Sequence, residues 1–224
     1  IVSAIQAIEP RIVAQQIRLC CEAFPVAAIK TGMLFSREII GAVCDALEDA
    51  MNRVEQKPAL VVDPVMVATS GDALLEKDAV ALYRERLFPM ADVVTPNLDE
   101  VATLLGRKIT NVEEMRIAGE ELAETYQTAF LIKGGHLRAS EAVDLLIAPG
   151  SAHEFRAPFV ANVSTHGTGC TYSAAIAAGL ARGLELPAAV GEAKRYLTNA
   201  IVHFQRWDGR AGTTDALHHF APRA

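Results

Sequence analysis

The sequence has few cysteines, few aromatic residues and no excess of positive charge. Its 224 residues include four cysteines and one tryptophan, and the formal net charge at pH 7 is -6. An acidic chain lacks the basic face that binds the phosphates of nucleic acids, so we expect no nucleic acid partner. A nucleotide site stays open, because it needs only a local positive potential from a lysine, a metal ion or a helix N-terminus.

Long apolar runs and cysteine motifs are also missing. No apolar run approaches the length of a membrane span, and no basic and then apolar leader opens the chain, so we expect no membrane partner. The cysteines form no CxxC pattern, and the adjacent Cys20 and Cys21 are poorly placed to pair with each other. These absences predict reduced thiols and a cytoplasmic location.

Short β-rich runs alternate with longer helical stretches along the chain. We predict helices over residues 10–24, 36–54, 77–88, 97–105, 112–126, from 169 onward and over 187–206. Strands are predicted at 26–29, 60–62, 92–95, 129–133, 142–148 and 153–157, followed by an irregular tail. This alternation predicts one α/β domain over residues 1–224, in which a doubly wound, mostly parallel sheet has helices on both faces.

Turn and cap residues support these boundaries. The last two predicted strands meet at Pro149–Gly150, which suggests a hairpin. Asn111 is expected to cap the helix over 112–126, with Glu114 as its capping-box partner.

Polar residues follow several of the predicted strands directly. Ligands of open parallel sheets bind outside the carboxyl ends of the strands, so Asp63, Asn97, Glu100 and Lys133 are candidate site residues. Asn97 and Glu100 are three residues apart on one helix face, a spacing that can hold a water-bridged magnesium ion. Each has a simpler interpretation: Asp63 starts a turn, Asn97 caps a helix in whose first turn the acidic Glu100 is favourable, and Lys133 is a solvent-exposed lysine before a turn.

The strongest pattern is the run Gly167–Thr168–Gly169–Cys170 before a long helix of small residues. Glycines at the start of a helix expose backbone N–H groups that bind anions. Helix N-termini also favour the thiolate form of a cysteine. The run therefore predicts a phosphate-binding loop with a reactive thiol, against the simpler interpretation of a glycine turn with a structural cysteine.

These motifs resemble the ribokinase-like superfamily, and within it the hydroxymethylpyrimidine (phosphomethylpyrimidine) kinases of thiamine biosynthesis. GTGC before an alanine-rich helix is similar to the superfamily's anion-hole motif, and Asn97-Leu-Asp-Glu100 is similar to its Asn-x-x-Glu motif. The runs KTGML (30–34), VVDPVMVATSGDALL (61–75), TPNLDEVATLLG (95–106), LIKGGHL (131–137) and ALHHF (216–220) look like the pyrimidine-kinase branch.

The resemblance implies phosphorylation of hydroxymethylpyrimidine and then of its monophosphate, with ATP and Mg²⁺. It implies Cys170 as catalytic base and Gly167, Thr168 and Gly169 as donors to the transferring phosphoryl group. His166 is a competing candidate base, which we expect instead to shape the loop. The other implied contacts are with the nucleotide and its phosphates (Lys133, Asp63, Asn97, Thr165), with magnesium (Asn97, Glu100) and with the pyrimidine (Gly32, Met33, Val65). Superfamily relatives also imply a homodimer, by analogy alone.

The sequence departs from the family's usual layout at its start. Roughly fifty residues of the expected pattern, which carry contacts to the substrate ring, do not precede Ile1, so we expect an N-terminally truncated domain. Two alternatives stay open: a pyridoxal kinase of the same superfamily, and a non-catalytic relative that binds a pyrimidine or nucleotide.

Overall fold

The computed structural model describes residues 4–66, 75, 78–135, 137, 141–161, 163, 166–209 and 212–222. The helices are α1 (Pro10–Ala23), α2 (Arg37–Asn52), α3 (Ala79–Leu82), α4 (Phe88–Met90), α5 (Leu98–Leu105), α6 (Val112–Tyr126), α7 (Thr168–Ala181) and α8 (Leu186–Val202), with a π-helical turn at Tyr83–Leu87 between α3 and α4. The strands are β1 (Ala28–Thr31), β2 (Ala59–Val62), β3 (Val93–Val94), β4 (Ala129–Lys133), β5 (Glu141–Ala148), β6 (Ser151–Pro158), β7 (Gln205–Gly209) and β8 (Gly212–Ala216).

The first six strands form one sheet in which spatial order follows chain order. Strands β1 to β4 pair in parallel, and β5 and β6 join by antiparallel pairing. The predicted hairpin is confirmed, since β5 and β6 meet at Pro149 and Gly150, where Gly150 has φ +80°. The four parallel strands end at the same edge, and this edge carries the candidate site residues.

Helices cover both faces of the sheet, as the sequence predicts. Successive strand residues point to opposite faces, so Val62 packs with α2 to α6 on one face while Val61 packs with α7 and α8 on the other. Because strand order follows chain order, the crossover helices share the first face. The second face is covered by α7 and α8, which come after the last strand of this sheet. The helix α7 packs against β1 and β2, so its first turn reaches the ligand-facing edge.

Local side-chain caps explain why several helices begin where they do. The Ser36 hydroxyl accepts a hydrogen bond from the N–H of Ile39 at 3.3 Å, as its predicted cap role requires. The Asn111 side chain accepts from the N–H of Glu114 at 2.8 Å and begins α6. The predicted capping box at this helix is only half formed, because the Glu114 carboxylate accepts from the N–H of Thr110 instead of Asn111.

Three boundary predictions are wrong. The tail is not irregular, since β7 and β8 form a separate two-stranded antiparallel hairpin. Accordingly α8 ends at Val202, before the predicted limit of 206. The first strand lies two residues later than predicted, because its register on β2 pairs Ala28 with Ala59. In the described part of the chain, no helix is both long and apolar enough to span a bilayer.

Candidate active site

Asp63 is the centre of a polar cluster at the carboxyl edge of the sheet. It follows β2 and is 2% exposed. One carboxylate oxygen, Oδ1, accepts from Lys133 Nζ at 3.0 Å and from the Thr95 hydroxyl at 3.4 Å. The other, Oδ2, accepts from the Ser173 hydroxyl at 3.2 Å and lies 3.7 Å from Lys30 Nζ. A buried carboxylate needs such partners, because burial without them is costly.

The parallel strands bring these groups together from distant positions in the chain. Lys30 comes from β1, Asp63 follows β2 and Lys133 ends β4. The N–H of Lys133 donates to the carbonyl of Pro96 at 2.9 Å, which continues the parallel pairing beyond β3 to Asn97. The structure therefore brings together the predicted residues Asp63, Asn97 and Lys133 at one edge.

The first turn of α7 lies beside this cluster. Gly167 is the N-cap residue with φ +83°, a conformation that favours glycine. A Cβ built on Gly169 would lie 3.2 Å from Lys133 Nζ, so the lysine packs directly against the helix start. The N–H groups of Gly169 and Cys170 precede the first helical hydrogen bond, which Thr171 donates to Gly167 at 3.0 Å. Cys170 is exposed, so its thiol is accessible.

Sequence reasoning missed Ser173. Its side chain is fully buried, and its hydroxyl lies 3.1 Å from the carbonyl oxygens of both Gly169 and Cys170 as well as 3.2 Å from Asp63. Position 173 is three residues after Cys170, so helical spacing would have placed both on one side of α7. Lys30 is a second site residue that the sequence pattern does not single out, although it lies in the run KTGML.

Asn97 and Glu100 form a complete capping box at the start of α5. The Asn97 side chain accepts from the N–H of Glu100 at 2.9 Å, and Glu100 Oε2 accepts from the N–H of Asn97 at 2.8 Å. Glu100 Oε1 accepts from the N–H of Met66 at 3.3 Å. Burial raises the pKa of Glu100, while Lys133 and these backbone N–H groups oppose the increase and Asp63 adds to it.

This arrangement fits magnesium only in an indirect form. In the described ranges, no group of three or more His, Cys, Asp or Glu side chains is close enough to hold a metal ion alone. The side-chain oxygens of Asn97 and Glu100 are occupied by backbone donors. Each carboxylate oxygen keeps a further lone pair that can accept from a water bound to the metal. Magnesium usually keeps several waters and binds substrate phosphates, so the pair fits a hydrated magnesium–nucleotide complex.

The three predicted pyrimidine-contacting residues come shortly after β1 and β2, the strands that carry Lys30 and precede Asp63. The carbonyl of Gly32 accepts from the Tyr83 hydroxyl at 3.4 Å, and Met33 is 42% exposed. Val65, two residues after Asp63, is half-buried. Thr165 lies outside the described residues. His166 is exposed and lies next to Gly167. The roles of all these residues stay predictions.

A second buried ion pair holds the turn after β4. Lys194 Nζ on α8 lies 2.5 Å from Asp144 Oδ2, and both residues are under 10% exposed. Asp144 Oδ1 accepts from the N–H of Gly134 at 3.0 Å. Asp144 is also the strand partner of Lys133 in the β4–β5 pairing. Through this pair, α8 fixes the backbone that carries Lys133.

Two solved structures with this architecture are small-molecule kinases. The chain aligns with Bacillus subtilis pyridoxal kinase, crystallised as an ADP complex, with a TM-score of 0.84 and 30% identity, covering 96% of this chain and 78% of that one. A phosphomethylpyrimidine kinase from Clostridium difficile gives a TM-score of 0.74 and 36% identity, covering 88% of this chain and 79% of that one. The fold is therefore that of a ribokinase-like kinase.

Sequence comparison shows which family of ribokinase-like kinases the chain belongs to. The sequence model of the family described as phosphomethylpyrimidine kinase matches residues 1–215. The hydroxymethylpyrimidine/phosphomethylpyrimidine kinase of Rhizobium meliloti is 44% identical over 220 residues, covering 98% of this chain and 80% of the relative. The thiamine biosynthesis bifunctional protein ThiED of Geobacter sulfurreducens is 44% identical over 200 residues, 89% of this chain, and the match covers 40% of that longer protein. This chain belongs to the phosphomethylpyrimidine kinase family.

Proposed function

We propose that this protein transfers the γ-phosphoryl group of ATP to hydroxymethylpyrimidine, and then transfers a second one to the resulting monophosphate. The relative from Rhizobium meliloti is named for both activities. The observation that carries the proposal is the contact between Lys133 and Gly169, which joins a partly buried cation to the open start of α7. Phosphoryl transfer depends mainly on positioning and charge stabilisation, and this contact supplies both at one point.

The chemistry follows from the groups at the edge. The hydroxymethyl oxygen attacks the γ-phosphorus, the bond between that phosphorus and the bridging oxygen of ADP breaks, and Cys170 Sγ accepts the hydroxyl proton. The N–H groups of Gly169 and Cys170 and the ammonium of Lys133 stabilise the charge on the transferring group. Asp63 keeps Lys133 in place through its 3.0 Å ion pair. Asn97 and Glu100 would hold a hydrated magnesium ion, and that ion would supply further charge neutralisation.

Product analysis after incubation with Mg-ATP and hydroxymethylpyrimidine tests the proposal. We expect the monophosphate to form first and the diphosphate after it. The Cys170→Ala variant should lower kcat by roughly 10²–10⁴-fold, the usual contribution of a general base, with little change in ATP binding. Cys20→Ala is the matched control, because Cys20 is an exposed cysteine on α1, away from this edge. Activity in Cys170→Ala equal to that of the parent would refute the base assignment.

A pyridoxal kinase is the second candidate function. It is favoured by the TM-score of 0.84 with Bacillus subtilis pyridoxal kinase, which exceeds that of the phosphomethylpyrimidine kinase structure. Pyridoxal carries an aldehyde to which the Cys170 thiol could add, and hydroxymethylpyrimidine does not. Comparing ATP consumption with the two acceptors separates the functions. Tight pyrimidine binding without product would instead indicate a non-catalytic relative.

Assembly and location belong to the same proposal. The homodimer rests on analogy with superfamily relatives and is tested by light scattering of the purified chain. The cytoplasmic location is supported by the cysteines, since all four are free. Localisation of a tagged full-length protein by fractionation would test it.

A further inference from the structure

We propose that Lys30 binds the phosphate group already carried by the monophosphate acceptor, and therefore serves the second phosphorylation more than the first. This inference rests on the proposed function and adds a subsite to it. It starts from the two lysines that share Asp63, of which only Lys133 has a role in the proposed first transfer.

The two lysines occupy different sides of one carboxylate. Lys133 Nζ lies 3.0 Å from Asp63 Oδ1, while Lys30 Nζ lies 3.7 Å from Oδ2. The longer distance shows that Lys30 makes the looser ion pair. Its side chain is 21% exposed, against 12% for Lys133, so a ligand has more access to Lys30.

Lys30 also lies beside Gly32, a predicted pyrimidine contact, and shares an oxygen of Asp63 with Ser173 on α7. A Cβ on Gly32 would be 2.9 Å from Lys30 Nζ, so the ammonium group lies against the backbone of the segment that contains Gly32 and Met33. The oxygen of Asp63 nearest to Lys30, Oδ2, also accepts from the Ser173 hydroxyl, which contacts the first turn of α7. An acceptor held between these two elements would present its hydroxymethyl oxygen, or the phosphate on it, close to Lys30.

The positive charge of Lys30 is less fully neutralised by carboxylates than that of Lys133. Lys133 interacts with two carboxylates, those of Asp63 and Glu100. Lys30 interacts with Asp63 alone in the described part of the chain, and shares it with Lys133. The positive charge of Lys30 is therefore incompletely neutralised and available to an anion.

The monophosphate acceptor needs a positive charge beside it, and hydroxymethylpyrimidine does not. Hydroxymethylpyrimidine has a neutral hydroxyl group, whereas a phosphate monoester carries about -1.5 to -2 charge at pH 7. Bringing that anion beside the phosphates of ATP is electrostatically unfavourable at short range. A lysine on the acceptor side offsets this repulsion for the monophosphate alone.

The test compares kcat/KM with hydroxymethylpyrimidine and with its monophosphate in two variants, Lys30→Met and Lys30→Gln. Both variants remove the positive charge, and Lys30→Gln keeps a polar donor beside Asp63. We expect kcat/KM for the monophosphate to fall roughly tenfold to 100-fold further than kcat/KM for the alcohol, the range for a lost hydrogen bond to a charged group. The monophosphate should accumulate as product. Calorimetry without ATP should show weaker binding of the monophosphate, with binding of the alcohol nearly unchanged. Lys30→Arg should keep most of the parent's preference.

Ser173→Ala is the control, because it removes the other partner of Asp63 Oδ2 without changing any charge. It should lower both reactions by the same factor. If the Lys30 variants also lower both reactions equally, or leave both unchanged, the subsite assignment is wrong while the proposed function stands. If the parent protein phosphorylates neither acceptor, the proposed function itself fails and the subsite with it.

Discussion

The Ser173 hydroxyl on α7 lies 3.2 Å from Oδ2 of Asp63, at the end of β2. It also lies 3.1 Å from the carbonyl oxygens of Gly169 and Cys170. A hydroxyl has one hydrogen, and the carboxylate is the strongest of the three acceptors, so we assign the donated bond to Asp63. One buried serine therefore fixes the first turn of α7 relative to the carboxylate that holds both lysines.

Replacement of Ser173 by alanine should reduce catalysis more than nucleotide binding. Asp63 keeps both lysines, but its carboxylate loses a donor and the start of α7 loses its connection to β2. We expect kcat to fall about tenfold, equivalent to one hydrogen bond of about 1.4 kcal/mol, with KM for ATP changed less than threefold. Steady-state kinetics with varied ATP check this.

Thr198→Ala is the matched control for Ser173→Ala. Like the Ser173 hydroxyl, the Thr198 hydroxyl on α8 lies within hydrogen-bond distance of the carbonyl four residues earlier, that of Lys194, at 2.8 Å. In the described part of the chain it has no hydrogen bond to Asp63. Its kinetics should match those of the parent. Equal losses of kcat in both variants would show that the serine has no special part in positioning α7.

Local patterns in the sequence predicted most elements of the fold. Hydrophobic runs and caps give α5, α6 and the β5–β6 hairpin, because the residues that decide these elements are neighbours in the chain. The same holds for the glycine start of α7. The exposed hairpin β7–β8 was missed because its strands bury almost no side chains and so carry no alternating hydrophobic pattern.

The cluster around Asp63 was predicted only in part. The sequence places Asp63 and Lys133 at the ends of predicted strands, and it predicts them as site residues because parallel strands share one ligand-facing edge. The contact between Asp63 and Ser173 joins residues 110 positions apart, and it depends on how α7 packs across β1 and β2. No local spacing specifies that packing. Lys30 likewise becomes a partner of Asp63 only through the register of β1 on β2.

Gly134→Ala should destabilise the fold and disturb the turn that carries Lys133. A Cβ at this position would lie 2.3 Å from the carbonyl oxygen of Val143 and 2.7 Å from Met115 Cε. The backbone would have to move, at a cost of about 1–3 kcal/mol in the free energy of unfolding. Urea unfolding measures this loss, and KM for ATP should rise with it.

Gly135→Ala tests whether the loss at Gly134 comes from crowding. Apart from its chain neighbours, no atom of the residues that the structure describes would lie within 4 Å of a Cβ on Gly135, so this variant should change the free energy of unfolding by no more than about 0.5 kcal/mol. A Gly135→Ala variant as unstable as Gly134→Ala would mean that any side chain in this turn is harmful, whatever space surrounds it.

Removal of one partner of the Asp144–Lys194 ion pair should be strongly destabilising. Asp144→Ala leaves the Lys194 ammonium buried without its carboxylate and removes the acceptor for the Gly134 N–H, so we expect a loss of about 3–5 kcal/mol. The double variant Asp144→Ala/Lys194→Met should recover part of this loss, because it leaves no buried charge. A double-mutant cycle by chemical unfolding provides the measurement.

The exposed ion pair of Arg156 and Glu141 is the comparison for this cycle. Its atoms lie 2.8 Å apart with side chains 53% and 47% exposed, so its contribution should not exceed about 1 kcal/mol. Coupling energies of similar size in the two pairs would contradict the importance that we assign to burial of Asp144.

Cys44 should make the stability of the protein decline at alkaline pH. Burial, the largest cause, raises the pKa of Cys44 from its ordinary value of 9.0 to about 11, and the side chain is 0% exposed. Between these two values the unfolded chain loses the thiol proton while the folded protein keeps it. The folded state then binds more protons than the unfolded state, so the free energy of unfolding falls as pH rises.

The measurement compares urea unfolding of the parent protein with that of Cys44→Ala at a series of pH values. The variant lacks the thiol, so the difference in free energy of unfolding isolates this one titration from the rest. The parent should lose about 1 kcal/mol relative to the variant between pH 8 and pH 10, since one unit of pKa corresponds to 1.36 kcal/mol. Below about pH 8 the difference should stay constant, because both states then keep the proton. A difference that grows in favour of the parent above pH 9 would have the wrong sign and would rule out a protonated, buried Cys44.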